Sequence, residues 1–340
     1  MKKQSLISIC IPSYNRPDTL IRLLKSIDAG DAKNVEIVIC EDKSPKREEI
    51  RVAVEKFKKE TDYEVVYKEN KANFGFDKNL RELIKSAKGD WIIFMGDDDD
   101  FVPQSLDKLI NFLKQHPELG YVLKSHLSYD EDKKAEKFRY YETTKFFESG
   151  LENYVALFRK SVFISGFIIK RELVLPYLIN EFDGTLLFQL YLLAEVVLKN
   201  PSAYFDEPLT RAYQEGIQPL FGTAESEKKL YTPGTITIEN SINFLKGFFK
   251  ITEFIDKKYN LNSTASIKKD MSKYFYPSLA IQRNKGIKVF LDYVKKLNQL
   301  GFNITFYYYL YTIFLLLLGK RICDNGIRIL KNILGRTPKL

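Results

Sequence analysis

The chain has 340 residues, of which 45% are hydrophobic and 29% are charged, and its formal net charge is +9. This length suits one large domain or two unequal domains, and the apolar fraction excludes a disordered chain. The 17 glycines and 12 prolines occur singly, which excludes collagen-like and low-complexity proteins. Three cysteines without a Cys-x-x-Cys pair exclude a disulfide scaffold and indicate a reducing compartment such as the cytoplasm.

The first 125 residues alternate short apolar segments with helical patterns. Segments rich in β-branched and aromatic residues predict four strands, at 5–11, 35–40, 63–68 and 91–95. Helical patterns follow them at 17–29, 47–59, 77–87 and 103–115. Strands that are apolar on both sides and alternate with helices form a parallel sheet covered on both faces. The sequence therefore predicts an α/β fold with a mostly parallel central sheet.

The second half of the chain changes character twice. Short strands are predicted at 163–169, 203–206 and 209–213, with a helix at 184–199. Turn residues and charges at 216–234 predict a mobile loop. Beyond this loop, helical patterns occur at 235–258, 266–281 and 288–300 and in a final pair. We therefore predict a domain at 1–215, a loop or linker at 216–234 and a helical region at 235–340.

Four aspartates, at positions 97–100, follow the fourth predicted strand. In open parallel sheets, ligands bind beyond the carboxyl ends of the strands, where the loops after the four strands converge. Adjacent carboxylates repel one another unless a cation neutralises them, and without nearby His or Cys the oxygen ligands favour Mg²⁺ or Mn²⁺. The alternative is a solvated acidic turn that caps the next helix.

Several other functional classes lack their motifs in this sequence. No G-x-G-x-x-G follows the first strand, and no G-x-x-x-x-G-K-[ST] loop occurs, which disfavours dinucleotide-binding and P-loop folds. No G-x-S-x-G elbow is present, and His116 and His126 are interpreted as structural or surface residues. Because no nucleic-acid-binding motif accompanies the positive charge, we expect no nucleic-acid partner.

Three segments together resemble a known enzyme family. They are ISICIPSYNRPDTLIRLLKSI at 7–27, VEIVICEDKS at 35–44 and NFGFDKNLRELIKSAKGDWIIFMGDDDD at 73–100, with Pro103 following. They resemble the nucleotide-binding half of family 2 glycosyltransferases, above all the bacterial surface-polysaccharide branch with abequosyltransferase-like enzymes. The resemblance is specific over residues 4–125. It implies a GT-A fold, which is Rossmann-like, here followed by an α-helical C-terminal region.

The resemblance also implies an activity and a set of site residues. The implied activity is metal-dependent, inverting transfer of a sugar from a nucleotide-sugar donor to a polysaccharide or lipid-linked oligosaccharide. The residues implied for donor binding are Pro12, Tyr14, Arg16, Asp42, Asn73, Asp77, Lys78 and Asp97. The residues implied for the metal, Mn²⁺ or Mg²⁺, are Asp98 and Asp99. Gly96 replaces the usual first acid of the family's D-x-D-D motif.

The catalytic base is harder to assign. Inverting transfer needs a general base, and the family's usual Glu-Asp pair falls by register at Leu186 and Leu187, which cannot accept a proton. Asp183 is the candidate, with Glu181 second, although Asp183 could instead cap the following helix. Arg211, where the family often has a His, is a candidate phosphate contact. A nucleotidyltransferase and a catalytically degenerate, membrane-attached binding subunit remain alternatives.

The C-terminal region carries a membrane-binding pattern. Residues 302–318 hold no charge, but their Tyr, Asn and Thr residues are typical of a bilayer interface. The following 22 residues contain six Lys or Arg and one Asp, alternating with apolar residues. We predict peripheral membrane contact through residues 302–340, at the cytoplasmic face of the cell membrane. A buried helical hairpin and a homo-oligomer interface are the alternatives.

Overall fold

The chain divides into two compact units, Met1–Gly234 and Thr235–Leu340. The computed structural model describes residues 6–129, 135–213 and 220–334, with the backbone alone for 330–334. Residues 216–219 of the predicted mobile loop and residues 335–340 of the predicted membrane segment therefore lie outside the described residues.

The first unit is built on a mixed sheet that contains ten strands among the described residues. These strands are β1 (Ile7–Ser13), β2 (Val35–Glu41), β3 (Glu64–Glu69), β4 (Trp91–Phe94), β5 (Asp100–Phe101), β6 (Tyr121–Tyr129), β7 (Ala135–Phe138), β8 (Lys145–Phe147), β9 (Phe167–Lys170) and β10 (Ser202–Tyr213). Their order is β3-β2-β1-β4-β9-β6-β10-β5, with β7 beside β6 and β8 beside β10.

Helices cover this sheet and form the second unit. Those of the first unit are α1 (Pro17–Ser26), α2 (Arg47–Glu60), α3 (Phe76–Ser86), α4 (Ser105–Gln115), α5 (Leu151–Phe158), α6 (Arg171–Val174) and α7 (Phe188–Val197). Those of the second unit are α8 (Ile238–Tyr259), α9 (Ser263–Lys273), α10 (Tyr276–Asn284), α11 (Ile287–Gln299) and α12 (Phe306–Leu334).

The half of the sheet that carries the candidate site is parallel. β1 pairs in parallel with β2 and β4, so that Ile9 lies opposite both Ile37 and Ile93 in the core. Every residue of β2 and β4 is buried, as expected for strands covered on both faces. β9 then pairs antiparallel with β4 and β6, and β10 runs parallel to β6. The predicted α/β fold is confirmed.

Two predicted elements differ from the structure. The single helix expected at 266–281 is two helices, because Pro277 occupies the first turn of α10 and cannot continue a helix from α9. The two short strands expected at 203–206 and 209–213 form one strand, β10, whose register against β6 shifts at Pro208. Proline lacks the N–H group that a regular ladder needs, so the strand bulges there.

In the second unit, α12 is broken at Gly319, where a φ of 74° departs from helical geometry. Before this break, Tyr308, Tyr311 and Leu315 are buried at a spacing that forms one face of a helix. Phe306, Leu317 and their neighbours on the other face are exposed. Across residues 6–129, 135–213 and 220–334, no helix has both the length and the apolar character required to cross a bilayer.

Candidate active site

The acidic turn lies at the carboxyl edge of the parallel half of the sheet. Met95 extends β4 by donating its N–H to the Cys10 carbonyl, and Asp42 donates to the Ser13 carbonyl in the same way, both at 3.0 Å. Asn70 continues the edge after β3 through the Glu41 carbonyl at 2.8 Å. The loops after the four parallel strands therefore open on one side of the sheet, as the sequence predicts.

The first two aspartates of the turn share one arginine. Arg16 Nη1 lies 2.7 Å from Asp98 Oδ2 and 3.2 Å from Asp97 Oδ1. Asp97 also accepts the Tyr14 N–H at 3.1 Å and is buried, and this burial raises its pKa to about 7. The side chain of Asp98 is 26% exposed, so this carboxylate faces the open side of the turn.

The last two aspartates are turned into the protein. Asp99 accepts a hydrogen bond from Ser165 Oγ, and burial together with the nearby charge of Asp98 raises its pKa to about 6. Asp100 accepts Arg211 Nε at 2.5 Å and the Tyr213 hydroxyl at 3.0 Å. The Arg211 guanidinium is thus bound to the turn itself. The protein supplies part of the positive charge that the sequence alone assigned to a metal.

Asp42 organises the loop that follows β3. Its Oδ1 accepts hydrogen bonds from Asn70 Nδ2 and from the Phe74 N–H, and its Oδ2 accepts the Gly75 N–H, each at 2.8 Å. Burial raises the pKa of Asp42 to about 6. The carboxylate therefore shapes residues 70–76, and its role toward a nucleotide base stays a prediction.

The other donor residues predicted from sequence lie along this loop and the start of α3. Asn73 is half-buried and donates to Thr223 Oγ1 at 3.0 Å, and the Lys78 ammonium lies 3.6 Å from the centre of the Phe74 ring. Asp77 points inward, where it accepts the N–H groups of Leu186 and Phe188, both at 2.9 Å. Asp77 thereby holds the first turn of α7.

The candidate base is held by an arginine. Both oxygens of Asp183 pair with the Arg81 guanidinium, and the second contact, from Nη2 to Oδ2, is 2.8 Å. Arg81 is buried on α3, whereas Asp183 is part-exposed and Glu181 is exposed. Asp183 does not cap α7. No side chain at the N-cap position of α7 accepts a hydrogen bond, and the Phe188 N–H at the start of the helix is accepted by Asp77 instead.

Three residues that were not predicted from sequence contribute to this region. Arg81 orients Asp183, and buried Glu227 accepts the Phe76 N–H at the start of α3 at 2.7 Å. Lys124 on β6 is buried, its Nζ donates to Thr210 Oγ1 at 2.8 Å, and burial lowers its pKa to about 7. Lys124 could have been noticed in the sequence because it is a lysine within an apolar segment. Nothing in the sequence distinguishes Arg81 or Glu227.

The carboxylates of the acidic turn fit a metal ion only if a substrate supplies further ligands. Among the described residues, no group of three or more His, Cys, Asp and Glu side chains is arranged to hold an ion by itself. The open carboxylate of Asp98, with Asp99 behind it, matches the way Mg²⁺ and Mn²⁺ bind through one or two carboxylates plus substrate phosphates. The residues therefore fit an ion that arrives with a diphosphate.

Residues 8–173 match the family described as Glycosyl transferase family 2. An uncharacterized glycosyltransferase of Haemophilus influenzae is 31% identical over 34% of this chain and 37% of its own length. The abequosyltransferase RfbV of Salmonella typhimurium is 30% identical over 34% of each chain. A Campylobacter jejuni protein named GalNAc(5)-diNAcBac-PP-undecaprenol beta-1,3-glucosyltransferase is 26% identical over 31% of this chain and 33% of its own. The matched segment spans about a third of these relatives.

Solved structures resemble the chain over more of its length. S. aureus TarS 1–349 in complex with UDP-GlcNAc has a TM-score of 0.53 and 15% identity, covering 94% of this chain and 92% of TarS 1–349. The mannosyltransferase PcManGT from Pyrobaculum calidifontis, in complex with GDP-Man and Mn²⁺, has a TM-score of 0.50 and 11% identity, covering 96% and 81%. At these identities the likeness concerns the fold, and it confirms the predicted GT-A architecture. Residues 8–173 therefore match a glycosyltransferase family 2 domain, which confirms the resemblance that the motifs of this segment carry.

Proposed function

We propose that the chain is a metal-dependent, inverting glycosyltransferase of bacterial surface glycan synthesis. It moves a sugar from a nucleotide-sugar donor to a polysaccharide or a lipid-linked oligosaccharide. The observation that carries the proposal is the open carboxylate of Asp98 at the carboxyl edge of a parallel sheet, within a family 2 domain. The names of the Salmonella and Campylobacter relatives support the sugar-transfer chemistry and the lipid-linked acceptor.

On the donor side, we assign direct contacts to the residues that stay accessible. Pro12, near the end of β1, and Tyr14, on the loop after it, are half-buried and border the nucleotide. Half-buried Asn73 lines the cleft, and Arg16 faces the diphosphate. Lys78 adds positive charge beside the Phe74 ring. Buried Asp42, Asp77 and Asp97 act through the backbone and the arginine that they hold. Their hydrogen bonds fix the shape of the cleft before the donor arrives.

Asp98, with the buried Asp99 behind it, would hold Mn²⁺ or Mg²⁺ together with the donor diphosphate. A bound divalent ion supplies Lewis-acid stabilisation of the negative charge that develops on the departing diphosphate. Ser165 holds Asp99 in place through its hydroxyl, and the Gly96 N–H donates to the same hydroxyl at 3.1 Å. This pair of hydrogen bonds joins the acidic turn to the loop before β9.

Asp183 acts as the general base in this proposal. Its carboxylate accepts the proton of the acceptor hydroxyl as that oxygen attacks the sugar from the side opposite the diphosphate. The two contacts with Arg81 hold the carboxylate in one orientation. Glu181, two residues earlier and exposed, is the second candidate.

The proposal is tested by replacing the open carboxylate. We expect Asp98→Asn to lower Mn²⁺-dependent release of nucleoside diphosphate from a donor by about 10²-fold or more, because charge stabilisation of the leaving group is lost. Asp62→Asn, at an exposed turn before β3, is the matched control and should retain wild-type turnover. Unchanged turnover of Asp98→Asn would count against the function. Release of pyrophosphate from a nucleoside triphosphate would favour a nucleotidyltransferase.

We also propose peripheral membrane contact through the second unit, at the inner face of the cell membrane. Phe306, Ile313 and Leu317 recur at helical spacing on the exposed face of α12, and their exposed fractions are 75%, 53% and 72%. Exposed Arg321 and Arg328 follow the break at Gly319. An apolar face beside cations matches the interface of an anionic bilayer. A second copy of the chain on this face is the alternative occupant.

A further inference from the structure

Arg16 contacts the open carboxylate to which the proposed function assigns the metal. It lies on the loop after β1, and one nitrogen, Nη1, approaches both Asp98 Oδ2 at 2.7 Å and Asp97 Oδ1 at 3.2 Å. Side chains of Arg16 and Asp98 are 19% and 26% exposed, so water and ions reach this pair. A cation that is bound to the open carboxylate competes with any metal for that carboxylate.

The other arginines at the turn are held differently. Arg22 and Arg211 both approach Asp100, whose side chain is buried, and Arg22 also donates to the carbonyl of Asp98. The Arg22 guanidinium lies 4.2 Å from the centre of the Tyr213 ring. These contacts fix Arg22 and Arg211 as parts of the turn. Arg16 differs because its ion pair with Asp98 lies at the open side, where a ligand can replace either partner.

We infer that Arg16 is a latch on Asp98 that the diphosphate of the donor releases. This inference rests on the proposed function. Without a donor, the guanidinium neutralises Asp98 and Asp97 and keeps the affinity for divalent metal low. A diphosphate offers the guanidinium a stronger, bidentate anion, so Arg16 turns to the phosphates and Asp98 becomes free to bind the metal that they carry. Arg16 is thus a positioning residue that makes metal and nucleotide bind cooperatively.

The test measures Mn²⁺ binding rather than turnover. Free Mn²⁺ is followed by electron paramagnetic resonance with the full chain, alone and with UDP, GDP, CDP or dTDP. We expect the wild-type chain to bind Mn²⁺ at least tenfold more tightly with its cognate nucleotide than without. We expect Arg16→Gln to bind Mn²⁺ alone about three- to tenfold more tightly than wild type, which corresponds to losing one partly exposed ion pair. Its enhancement by nucleotide should shrink correspondingly, because the coupling is reciprocal.

Two further variants separate the latch from general electrostatics and from misfolding. Lys88→Gln removes the same charge at the amino end of the sheet, where Lys88 pairs with Glu64, and it should bind Mn²⁺ as wild type does. Arg16→Lys keeps the charge but loses the bidentate fork, so it should keep Mn²⁺ binding weak while reducing the enhancement by nucleotide. Circular dichroism and thermal unfolding check that each variant is folded, and Arg16→Lys serves alone if Arg16→Gln is not.

Each outcome bears on a different claim. If both Arg16 variants bind Mn²⁺ like wild type, with and without nucleotide, the latch is overturned and the proposed function stands. If Lys88→Gln changes Mn²⁺ affinity as much as Arg16→Gln does, the effect is general electrostatics and the latch is also overturned. If the wild-type chain takes up no Mn²⁺ with any of the four nucleotides, the metal assignment in the proposed function fails, and the latch fails with it.

Discussion

Asp183 sits in an arrangement in which one carboxylate oxygen can accept a proton while an arginine holds the group in position. Asp183→Asn keeps the size and one acceptor but cannot take a proton, so we expect sugar transfer to fall by about 10²-fold or more. Nucleotide affinity should stay within about twofold of wild type. Turnover is measured with an acceptor that supports the wild-type reaction, and affinity by calorimetry.

The neighbouring acid supplies the control for this prediction. Glu181→Gln changes an exposed carboxylate two residues away and should leave transfer near wild type. If Glu181→Gln abolishes transfer while Asp183→Asn does not, the roles of the two residues are exchanged. If neither variant loses transfer, the base lies elsewhere and Asp183 only completes the ion pair with Arg81.

The raised pKa of Asp77 predicts that the free energy of unfolding depends on pH. Burial raises the pKa of Asp77 to about 7, against an ordinary value of 3.8, so between these values the folded chain holds a proton that the unfolded chain has released. The stability that Asp77 contributes is therefore present below about pH 4 and is lost as the pH rises through about 7. The expected slope from this group approaches about 1.4 kcal/mol per pH unit between pH 4 and 7.

Chemical denaturation at a series of pH values measures this slope. Asp77→Asn should have a lower free energy of unfolding at pH 5, because Asn can accept only one of the two N–H groups, but a shallower decline toward pH 7.5. Asp62→Asn should decline as wild type does. A decline of equal steepness in Asp77→Asn and wild type would show that Asp77 titrates near its ordinary pKa in the folded chain.

At the level of single residues, the acidic turn could be predicted from the sequence, but which of its four aspartates are open and which are buried could not. Asp98 was predicted as the best metal ligand, and the structure leaves that side chain open, although its role as a ligand stays a prediction. The burial of Asp100 depends on Arg211, which is 111 residues away in sequence. No local pattern encodes such a pair, because the contact exists only after β5 and β10 have come together.

Among the elements, residues 220–231 form a brace across the first unit. Glu227 accepts the N–H groups of Phe76 and Gly222, and the Tyr231 hydroxyl donates to the Thr185 carbonyl at 3.2 Å. Gly75 faces this brace, and a Cβ there would lie 2.6 Å from Glu227 Oε1. The brace therefore joins the loop that carries the predicted donor residues to the loop that follows Asp183.

Glu227→Ala should destabilise the first unit by about 2–4 kcal/mol, because it leaves one buried and one part-buried N–H group without an acceptor. The matched control is Glu225→Ala, which removes an exposed carboxylate from the same brace and should leave the free energy of unfolding near that of wild type. Urea denaturation gives both values. Equal stability of the two variants would mean that the brace contributes nothing to holding the unit together.

The elements that sequence predicts well are those whose pattern is local. β1, β2 and β4 are mostly apolar and were predicted nearly to their ends. β6 was not predicted, because Lys124 and His126 interrupt its apolar pattern. Lys124 can be buried there only because Thr210 on β10 accepts its hydrogen bond, which is a tertiary effect.

Considered as a whole, the molecule combines the proposed donor site with an excess of positive charge. The formal net charge is +9, and among the described residues exposed Arg321 and Arg328 follow the apolar part of α12 in sequence. An anionic bilayer would attract these cations and bury that face, whereas a second copy of the chain would gain only the apolar contact. The dependence on lipid charge therefore distinguishes the two occupants.

Substitution tests this face better than truncation, because deletion after Gly301 would remove the buried Tyr308 and Leu315 and unfold the second unit. We expect Phe306→Ser with Leu317→Ser to lower flotation with vesicles containing anionic lipid by about tenfold or more, since two large apolar side chains no longer enter the interface.

The paired control is Val52→Ser with Phe146→Ser, which replaces comparably exposed apolar residues of the first unit and should float as wild type does. Wild-type flotation should weaken on neutral vesicles and as salt rises from 0.05 to about 0.5 M, because screening removes the attraction of the cations. If flotation changes neither with lipid charge nor with the α12 substitutions, this face is not the membrane-binding surface. A concentration-dependent dimer that the α12 substitutions abolish would assign the face to a second copy of the chain.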